Sequence, residues 1–236
     1  MVVDMTGTPS GRADWVQADA EDQPTELLAS RLRAGHPDLP MRSGASIEPG
    51  NATVNLATAR DGTVVGLRPL RRDERELVAR FFAGLSAESR RRRFLQPMPR
   101  LPEAMLGRLA DVDGHRHLAM VAVVDGHCAG IARWIALPDE PGAAEVAVTV
   151  TDRYQGRGIG RLLVQALRPA AVRAGLTSLV YLVDPTNRPA LGLLRSLEVK
   201  LSFRDGLVEG RQRLPPGGSD PTMVRTEVTW EPDTSA

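Results

Sequence analysis

Residues 144–163 read AEVAVTVTDRYQGRGIGRLL, and the rest of the chain is organised around this stretch. Its first eight residues are rich in Val, Ala and Thr in alternation, which predicts a β-strand. Gly156, Gly158 and Gly160 follow, and a helix is expected from Gly158 to Ala174. Glycines take positive φ and let the backbone approach a ligand closely, so that their N–H groups can converge on one anion. Because a helix N-terminus adds free N–H groups and a positive dipole, the stretch predicts an anion-binding loop.

The spacing of these glycines excludes two common classes of phosphate-binding loop. A dinucleotide-binding loop needs G-x-G-x-x-G, and here the third glycine comes one residue too early. A nucleotide P-loop needs a lysine after its last glycine, but the only lysine of the chain is Lys200. Arg161, in the first helical turn, adds a charged partner for a phosphate. A glycine-rich turn without a ligand is the remaining alternative.

Strand-like segments lie on both sides of this loop. Three Asp-Gly pairs, at 61–62, 125–126 and 205–206, suit two-residue hairpin turns, because both central positions need positive φ. Another strand is expected at 178–184, after the helix. The strands that flank the turns are TVNLATA, TVVGLRPL, HLAMVAVV, HCAGIARWIAL, VKLSFR and LVEGRQRL.

Helices are expected in the remaining gaps, and the order of elements predicts an α/β fold. A mixed sheet with helices on both faces accounts for strands, helices and strands in this sequence. Pro169 should kink the helix after the loop or end it early. The other helices run from Arg72 to Gly84, from Ser86 into the Arg90–Arg93 run, from Pro102 to Leu109, and from Thr186 or Asn187 to about Leu197.

Three regions are expected along the chain. Residues 1–52 are polar and read as a largely flexible arm, with a short helix in Pro24–Arg33. Residues 53–213 form the folded domain. Residues 214–236 are a Pro/Gly-rich tail in which Met223–Trp230 alternates enough to be a peripheral strand.

Composition restricts the function of the chain. It has 236 residues and a net charge of +1, with no apolar run near the ~20 residues of a membrane span and no export signal, so a cytoplasmic protein is expected. The single cysteine, Cys128, excludes a clustered cysteine metal site and favours an inert buried thiol, and no metal is expected. His115 and His117 read as solvated loop residues. The Arg90–Arg93 run lacks an aromatic stacking platform, so it indicates a solvated helix end or the lip of an acceptor cleft rather than a nucleic-acid site.

Several motifs together resemble one enzyme family. Gln155, Gly158 and Gly160 fit the Q-x-x-G-x-G loop of the GNAT superfamily of N-acetyltransferases, and residues 187–193 fit its N-x-x-A-x-x-L helix. The resemblance covers about residues 63 to 213. The segments LSAESRRRRF and FLQPMPRL further resemble the bacterial Pat-type protein-lysine acetyltransferases. In that subgroup a cyclic-nucleotide domain can precede the catalytic domain; the polar residues ahead of the match here are expected not to form one.

The resemblance implies a mostly antiparallel sheet that splays apart at a cleft for acetyl-CoA. The composition and the arginine run indicate no nucleic-acid or membrane partner, and the oligomeric state is left open. The backbone of Val148 and Val150 would line the pantetheine arm, with Asn187 on the other side of the cleft. The pyrophosphate would be held by Gln155, Gly156, Arg157, Gly158, Ile159, Gly160 and Arg161.

The acetyl acceptor would be a primary amine, and Glu145 is the candidate general base. Less than ~1% of lysine amine is neutral at pH 7, so a base is useful. Glu145 is the one carboxylate in an otherwise apolar strand and falls where Pat-like proteins carry their catalytic glutamate; a surface glutamate of an edge strand is the alternative. The family's usual tyrosine acid is replaced by Leu194. A protein lysine is the favoured acceptor, a small-molecule amine is the second hypothesis, and a non-catalytic acyl-CoA sensor is the third.

Overall fold

The computed structural model describes residues 54–215 and the backbone of residues 227–228. Nine strands of this described part form one sheet in the order β7-β8-β6-β5-β4-β3-β2-β1-β9, and only the β5–β6 pair is parallel. The strands are β1 (Val54–Thr58), β2 (Val64–Pro69), β3 (His117–Val124), β4 (His127–Ala136), β5 (Ala143–Val150), β6 (Ser178–Val183), β7 (Lys200–Arg204), β8 (Leu207–Arg213) and β9 (Glu227–Val228).

Helices cover both faces of this sheet, which confirms the predicted fold class. α1 to α3 come between β2 and β3, α4 is the crossover between the parallel strands β5 and β6, and α5 follows β6. None of the described helices is both long and apolar enough to cross a bilayer. The helices are α1 (Arg75–Ala83), α2 (Ala87–Phe94), α3 (Glu103–Ala110), α4 (Ile159–Arg173) and α5 (Arg188–Ser196).

Two hydrophobic cores form because side chains alternate between the faces of each strand. On β3, Leu118 and Met120 point to the core that contains α4 and α5, whereas Ala119 and Val121 point to the core under α1–α3. On β5, the even-numbered residues share the α4 core. The odd-numbered residues of β5, including position 145, therefore face α1–α3.

The Asp-Gly turns are confirmed at two of the three hairpins. At 125–126 and 205–206 both residues have positive φ, between 48° and 78°. At 61–62 only Gly62 does, with φ 86°. There Ala59 N donates to Thr63 O over 2.8 Å, so the β1–β2 loop has three residues, 60–62.

Of the two expected effects of Pro169, the early end is wrong: α4 continues to Arg173, close to the expected end at Ala174, because Ala170 and Ala171 beyond the proline are buried in the core. One further expectation was wrong. His117 is not a solvated loop residue; it is the first residue of β3 and is 8% exposed.

The predictions for residues 1–52 lie outside the described residues. In the predicted tail, β9 pairs antiparallel with β1, at the edge of the sheet where a peripheral strand was expected.

Candidate active site

A cleft opens in the sheet where β5 and β6 stop pairing. The last bridge between them joins Glu145 to Val180, although β5 continues to Val150 and β6 to Val183. The resulting space has a volume of about 490 Å³. It is lined by ten of the eleven residues predicted for the site: Glu145, Val148, Val150, Gln155, Gly156, Gly158, Ile159, Gly160, Arg161 and Asn187.

The backbone of β5 presents polar groups to this cleft. Thr151 N donates to Ala129 O over 2.9 Å and Leu137 N donates to Ala143 O over 2.9 Å, so the odd-numbered residues turn their backbone groups toward β4. The N–H and C=O groups of a strand alternate in direction. Val148 therefore turns its N–H and C=O toward the gap, beyond the last β5–β6 bridge.

The glycine loop provides an anion-binding surface at one end of the cleft. Gly156 and Gly158 have φ values of 77° and 91°, and Gly158 is the N-cap of α4. The amides of Arg161 and Leu162 donate to Gly158 O. Within residues 54–215, no backbone carbonyl accepts from the amides of residues 156–160. The loop thus combines free N–H groups with the positive end of a 15-residue helix.

Glu145 lies at the apex of the cleft, on the face covered by α1–α3. It is opposite Ile135 of β4, which is in turn opposite His117 of β3. Arg93 of α2 lines the cleft together with Glu145, and the two charges interact favourably: burial lowers the pKa of Arg93 while the carboxylate acts in the opposite direction. A carboxylate and a cation, those of Glu145 and Arg93, therefore lie near each other where α1–α3 cover the cleft.

Comparison with known proteins identifies the family. The sequence model of the acetyltransferase (GNAT) family matches residues 81–198, half of the chain. The chain belongs to the GNAT acetyltransferase family. It is an acetyl-CoA-dependent acetyltransferase.

Individual relatives agree with this assignment. An acetyltransferase of Pseudomonas aeruginosa is 37% identical over 132 residues, which cover 54% of this chain and 70% of that protein. The GNAT domain of S. lividans PAT superposes with a TM-score of 0.64 at 26% identity, over 68% of this chain and 97% of that domain. The cAMP-binding acyltransferase from Mycobacterium smegmatis gives a TM-score of 0.52 at 27% identity, over 73% of this chain and 51% of that protein.

In this acetyltransferase the Gln155 side chain fastens the loop to its surroundings. Its Nε2 donates to Val150 O over 3.0 Å and to Ser89 Oγ over 3.1 Å. Ser89 Oγ donates in turn to Asp152 Oδ1 over 2.8 Å, and Ser86 Oγ donates to the same oxygen over 2.7 Å. The loop is thereby joined to the first turn of α2. No sequence signal indicated the contacts of the two serines with Asp152, because these pairs are separated by 63 and 66 residues.

Arg157 is the one predicted site residue whose side chain does not line the cleft. Its guanidinium lies 3.4 Å from Asp61, donates to Arg153 O over 3.1 Å and rests 5.4 Å from the centre of the Tyr154 ring. Any contact of Arg157 with the cofactor would come from its backbone amide. Arg161 lines the cleft and donates to Ser196 O over 2.9 Å.

The far side of the cleft is formed by the start of α5. Asn187 is its N-cap, as predicted, and its Oδ1 accepts from Ala190 N over 3.2 Å. Leu194 is 2% exposed and offers no proton donor. Tyr181 also lines the cleft, but its hydroxyl donates to Gln212 Oε1 over 3.2 Å and burial raises its pKa.

A buried basic pair lies on the same face of the sheet as Glu145, the face covered by α1–α3. Arg133 is 5% exposed; it donates to Leu109 O over 2.6 Å and lies 3.2 Å from His117 Nε2. Burial and then Arg93 lower the pKa of Arg133 to about 9. Burial, followed by the charge of Arg133, lowers the pKa of His117 to about 3, so His117 is neutral and can accept from Arg133.

The arginine run of α2 divides into structural and cleft-facing residues. Arg90 donates to the carbonyls of Ala83, Leu85 and Pro99. Arg91 bridges to Asp184 at the end of β6 over 2.8 Å. Arg92 and Arg93 line the cleft, so the end of this run is a lip of the cleft, one of the two predicted alternatives.

Other reactive groups in the described part carry no sign of chemistry. Burial raises the pKa of the Cys128 thiol to about 12, as expected for an inert cysteine. No three His, Cys, Asp or Glu side chains within residues 54–215 lie close enough together to hold a metal ion.

Proposed function

We propose that this enzyme transfers the acetyl group of acetyl-CoA to a protein lysine ε-amine, with Glu145 as general base. The observation that carries the proposal is the end of β5–β6 pairing at the Glu145–Val180 bridge. The single carboxylate of the cleft lining, that of Glu145, lies at this point, where the backbone groups of β5 no longer pair with β6. A cytoplasmic location stays a prediction from the sequence.

The cleft has the features that acetyl-CoA requires. Its phosphates suit the amides of residues 156–160 and the start of α4. The pantetheine arm carries amides that can pair with strand-like backbone, and Val148 and Val150 offer such groups along the cleft. Asn187 and Arg161 flank the same space.

The chemistry needs a base, an oxyanion donor and a leaving group. Glu145 would take the proton that the ammonium must lose before its nitrogen attacks the thioester carbonyl. The N–H of Val148 would donate to the oxygen of the tetrahedral intermediate. The new C–N bond forms, the C–S bond breaks, and CoA leaves as a thiolate. With a pKa near ~8.5, as for a cysteine thiol, that thiolate can leave without a tyrosine acid, consistent with Leu194.

The preference for a protein lysine comes from α2 and the segment after it. These are the residues that resemble Pat-type enzymes, and their side chains Ser89, Arg92, Arg93 and Leu95 line the cleft on the side of Glu145. The resemblance therefore concerns the acceptor side of the cleft as well as the cofactor loop. The structural likeness to the S. lividans PAT domain supports the same acceptor class.

The base is tested by Glu145→Gln. We expect kcat to fall by about 100-fold or more, because a general base contributes at least this factor. Affinity for CoA, measured by calorimetry, should stay within about twofold. Glu76→Gln, an exposed residue of α1, is the matched control and should keep full turnover. Equal turnover of Glu145→Gln and wild type would remove Glu145 from the mechanism.

The acceptor is tested by comparing acetyl-lysine across a proteome with and without the active enzyme. Sites that appear with wild type and not with Glu145→Gln support a protein acceptor. CoA release only with small amines would assign a small-molecule acetyltransferase. Tight CoA binding with no turnover on any amine would assign an acyl-CoA sensor.

A further inference from the structure

The tip of the β1–β2 hairpin is fastened to the glycine loop. Arg60 N donates to Arg157 O over 2.9 Å, and the Asp61 carboxylate lies 3.4 Å from the Arg157 guanidinium. The three-residue hairpin loop makes this possible, because the Arg60 amide is not used within the hairpin. Hydrogen bonds from Thr63, together with the charge of Arg157, keep the pKa of Asp61 below its usual range, so the ion pair persists at neutral pH.

The Arg60 side chain starts at the loop and lines the cleft. Its Cβ lies 3.6 Å from the position that a Cβ on Gly158 would occupy. It belongs to the lining together with Gly156, Gly158 and Gly160. The residue is exposed, and within residues 54–215 its guanidinium forms no ion pair or side-chain hydrogen bond.

The other arginines around the cleft are already engaged. Arg161 donates to Ser196 O, Arg92 pairs with Glu88 over 2.7 Å, and Arg93 rests over the Phe94 ring. Arg157, the arginine within the glycine loop, is held outside the cleft by Asp61. Among the arginines that line the described part of the cleft, Arg60 is therefore the one that lies beside the loop amides and is available to an anion.

We infer that Arg60 is a phosphate-binding residue of the coenzyme site, supplied by the β1–β2 hairpin. The inference rests on the proposed binding of acetyl-CoA along residues 155–161. A guanidinium brings a full positive charge to its hydrogen bonds with phosphate oxygens, which neutral backbone amides do not provide. Asp61 has a supporting role, because its ion pair holds the Arg157 side chain outside the cleft, and within the cleft Arg60 can then contact the phosphate.

The test is calorimetric titration of the full chain with CoA and with 3′-dephospho-CoA. Arg60→Gln is expected to bind CoA about tenfold more weakly than wild type, the effect of one charge-assisted contact. Arg60→Lys keeps the charge and should retain most of the affinity. Arg173→Gln is the matched control, at the opposite end of α4 and about 20 Å along the helix from the loop; its affinity should equal that of wild type.

The two ligands distinguish which phosphate is bound. A loss of affinity for both ligands in Arg60→Gln supports a contact with the pyrophosphate, and a loss for CoA alone supports a contact with the 3′-phosphate. Wild-type affinity of Arg60→Gln for both ligands overturns the inference, as does a loss in Arg157→Gln instead, or a loss in Arg60→Lys equal to that in Arg60→Gln. If wild type itself binds no CoA, the proposed donor site is wrong, and this result is separate from the role of Arg60.

Discussion

The Gln155 side-chain amide donates to the Ser89 hydroxyl over 3.1 Å and so connects the glycine loop with α2. Asp152 completes the connection by accepting from Ser89 and from both the amide and the hydroxyl of Ser86. Burial acts to raise the pKa of Asp152, but these hydrogen bonds outweigh it and keep the pKa below its usual range. The glycine loop and α2 are therefore joined by one hydrogen-bond network around the Asp152 carboxylate, and a change in one of them should alter the position of the other.

Ser89→Ala should weaken binding on both sides of the cleft. The substitution removes a donor to Asp152 and the acceptor of Gln155, which costs about 1 kcal/mol of stability for a hydrogen bond of this kind. We expect KM to rise several-fold for acetyl-CoA and for the acceptor, while kcat changes less. Steady-state kinetics with each substrate varied in turn measures this.

Ser202→Ala, on the exposed strand β7, is the control for Ser89→Ala and should behave as wild type. A rise in only one of the two KM values would show that the network holds one partner rather than coupling the loop to α2.

Gly158 and Gly160 should respond differently to alanine. Gly158 has a φ of 91°, a region that costs an L-residue about 1–2 kcal/mol, so Gly158→Ala should distort the loop and weaken CoA binding at least tenfold. Gly160 lies within α4, and a Cβ there would make ordinary contacts of 3.4 Å or more with Leu193, Val148 and Val150. Gly160→Ala should therefore gain about 0.5–1 kcal/mol of stability and lose less CoA affinity than Gly158→Ala.

Thermal unfolding and calorimetry of the two variants measure these effects, and each variant is the control for the other. Equal losses of CoA affinity would mean that the glycines serve only to leave space, and that the positive φ of Gly158 is not what shapes the loop.

The strands and helices were predictable because their signals are local. Ser86 and Asn187 cap α2 and α5 as their positions in the sequence indicated. The early end at Pro169, one of the two expected effects of the proline, was wrong because the burial of Ala170 and Ala171, a tertiary effect, extends α4 past it.

The site was predictable only where it is contiguous in sequence. Residues 155–161 form one motif, and Glu145 stands out in its strand. The contact of Arg60 with the loop and the Ser89–Asp152 bond join segments far apart in the chain, so no spacing rule could find them. The diversion of Arg157 to Asp61 likewise depends on how the hairpin packs on the loop.

His117 should make the protein sensitive to mild acid. Its pKa is about 3 when folded and about 6.5 when unfolded, so below pH 6.5 only the unfolded chain takes up the proton. Above pH 6.5 His117 is neutral in both the folded and the unfolded chain and costs no stability. As the pH falls below 6.5 the unfolded chain is favoured, and the free energy of unfolding is lower by about 2 kcal/mol at pH 5. Urea unfolding at pH 7 and pH 5 measures this loss. Both pH values lie above the range in which carboxylates usually titrate.

His117→Gln should remove most of this difference between pH 7 and pH 5. His127→Gln is the control, because His127 is exposed at the start of β4 and should leave the difference intact. If His117→Gln and wild type lose the same stability between the two pH values, the acid sensitivity lies in other groups.

Tyr181→Phe should leave turnover within about twofold of wild type, a change of less than ~0.5 kcal/mol in the barrier. Tyr181 lines the cleft, but its hydroxyl is held by Gln212 and its pKa is raised by burial, so protonation of a thiolate with a pKa of ~8.5 would be uphill. Tyr154→Phe is the parallel variant, since Tyr154 is 8% exposed and also lines the cleft. Kinetics and melting temperatures of both variants are compared. A drop of tenfold or more in kcat for one of them, with unchanged thermal stability, would identify that tyrosine as the general acid and contradict departure of CoA as a free thiolate.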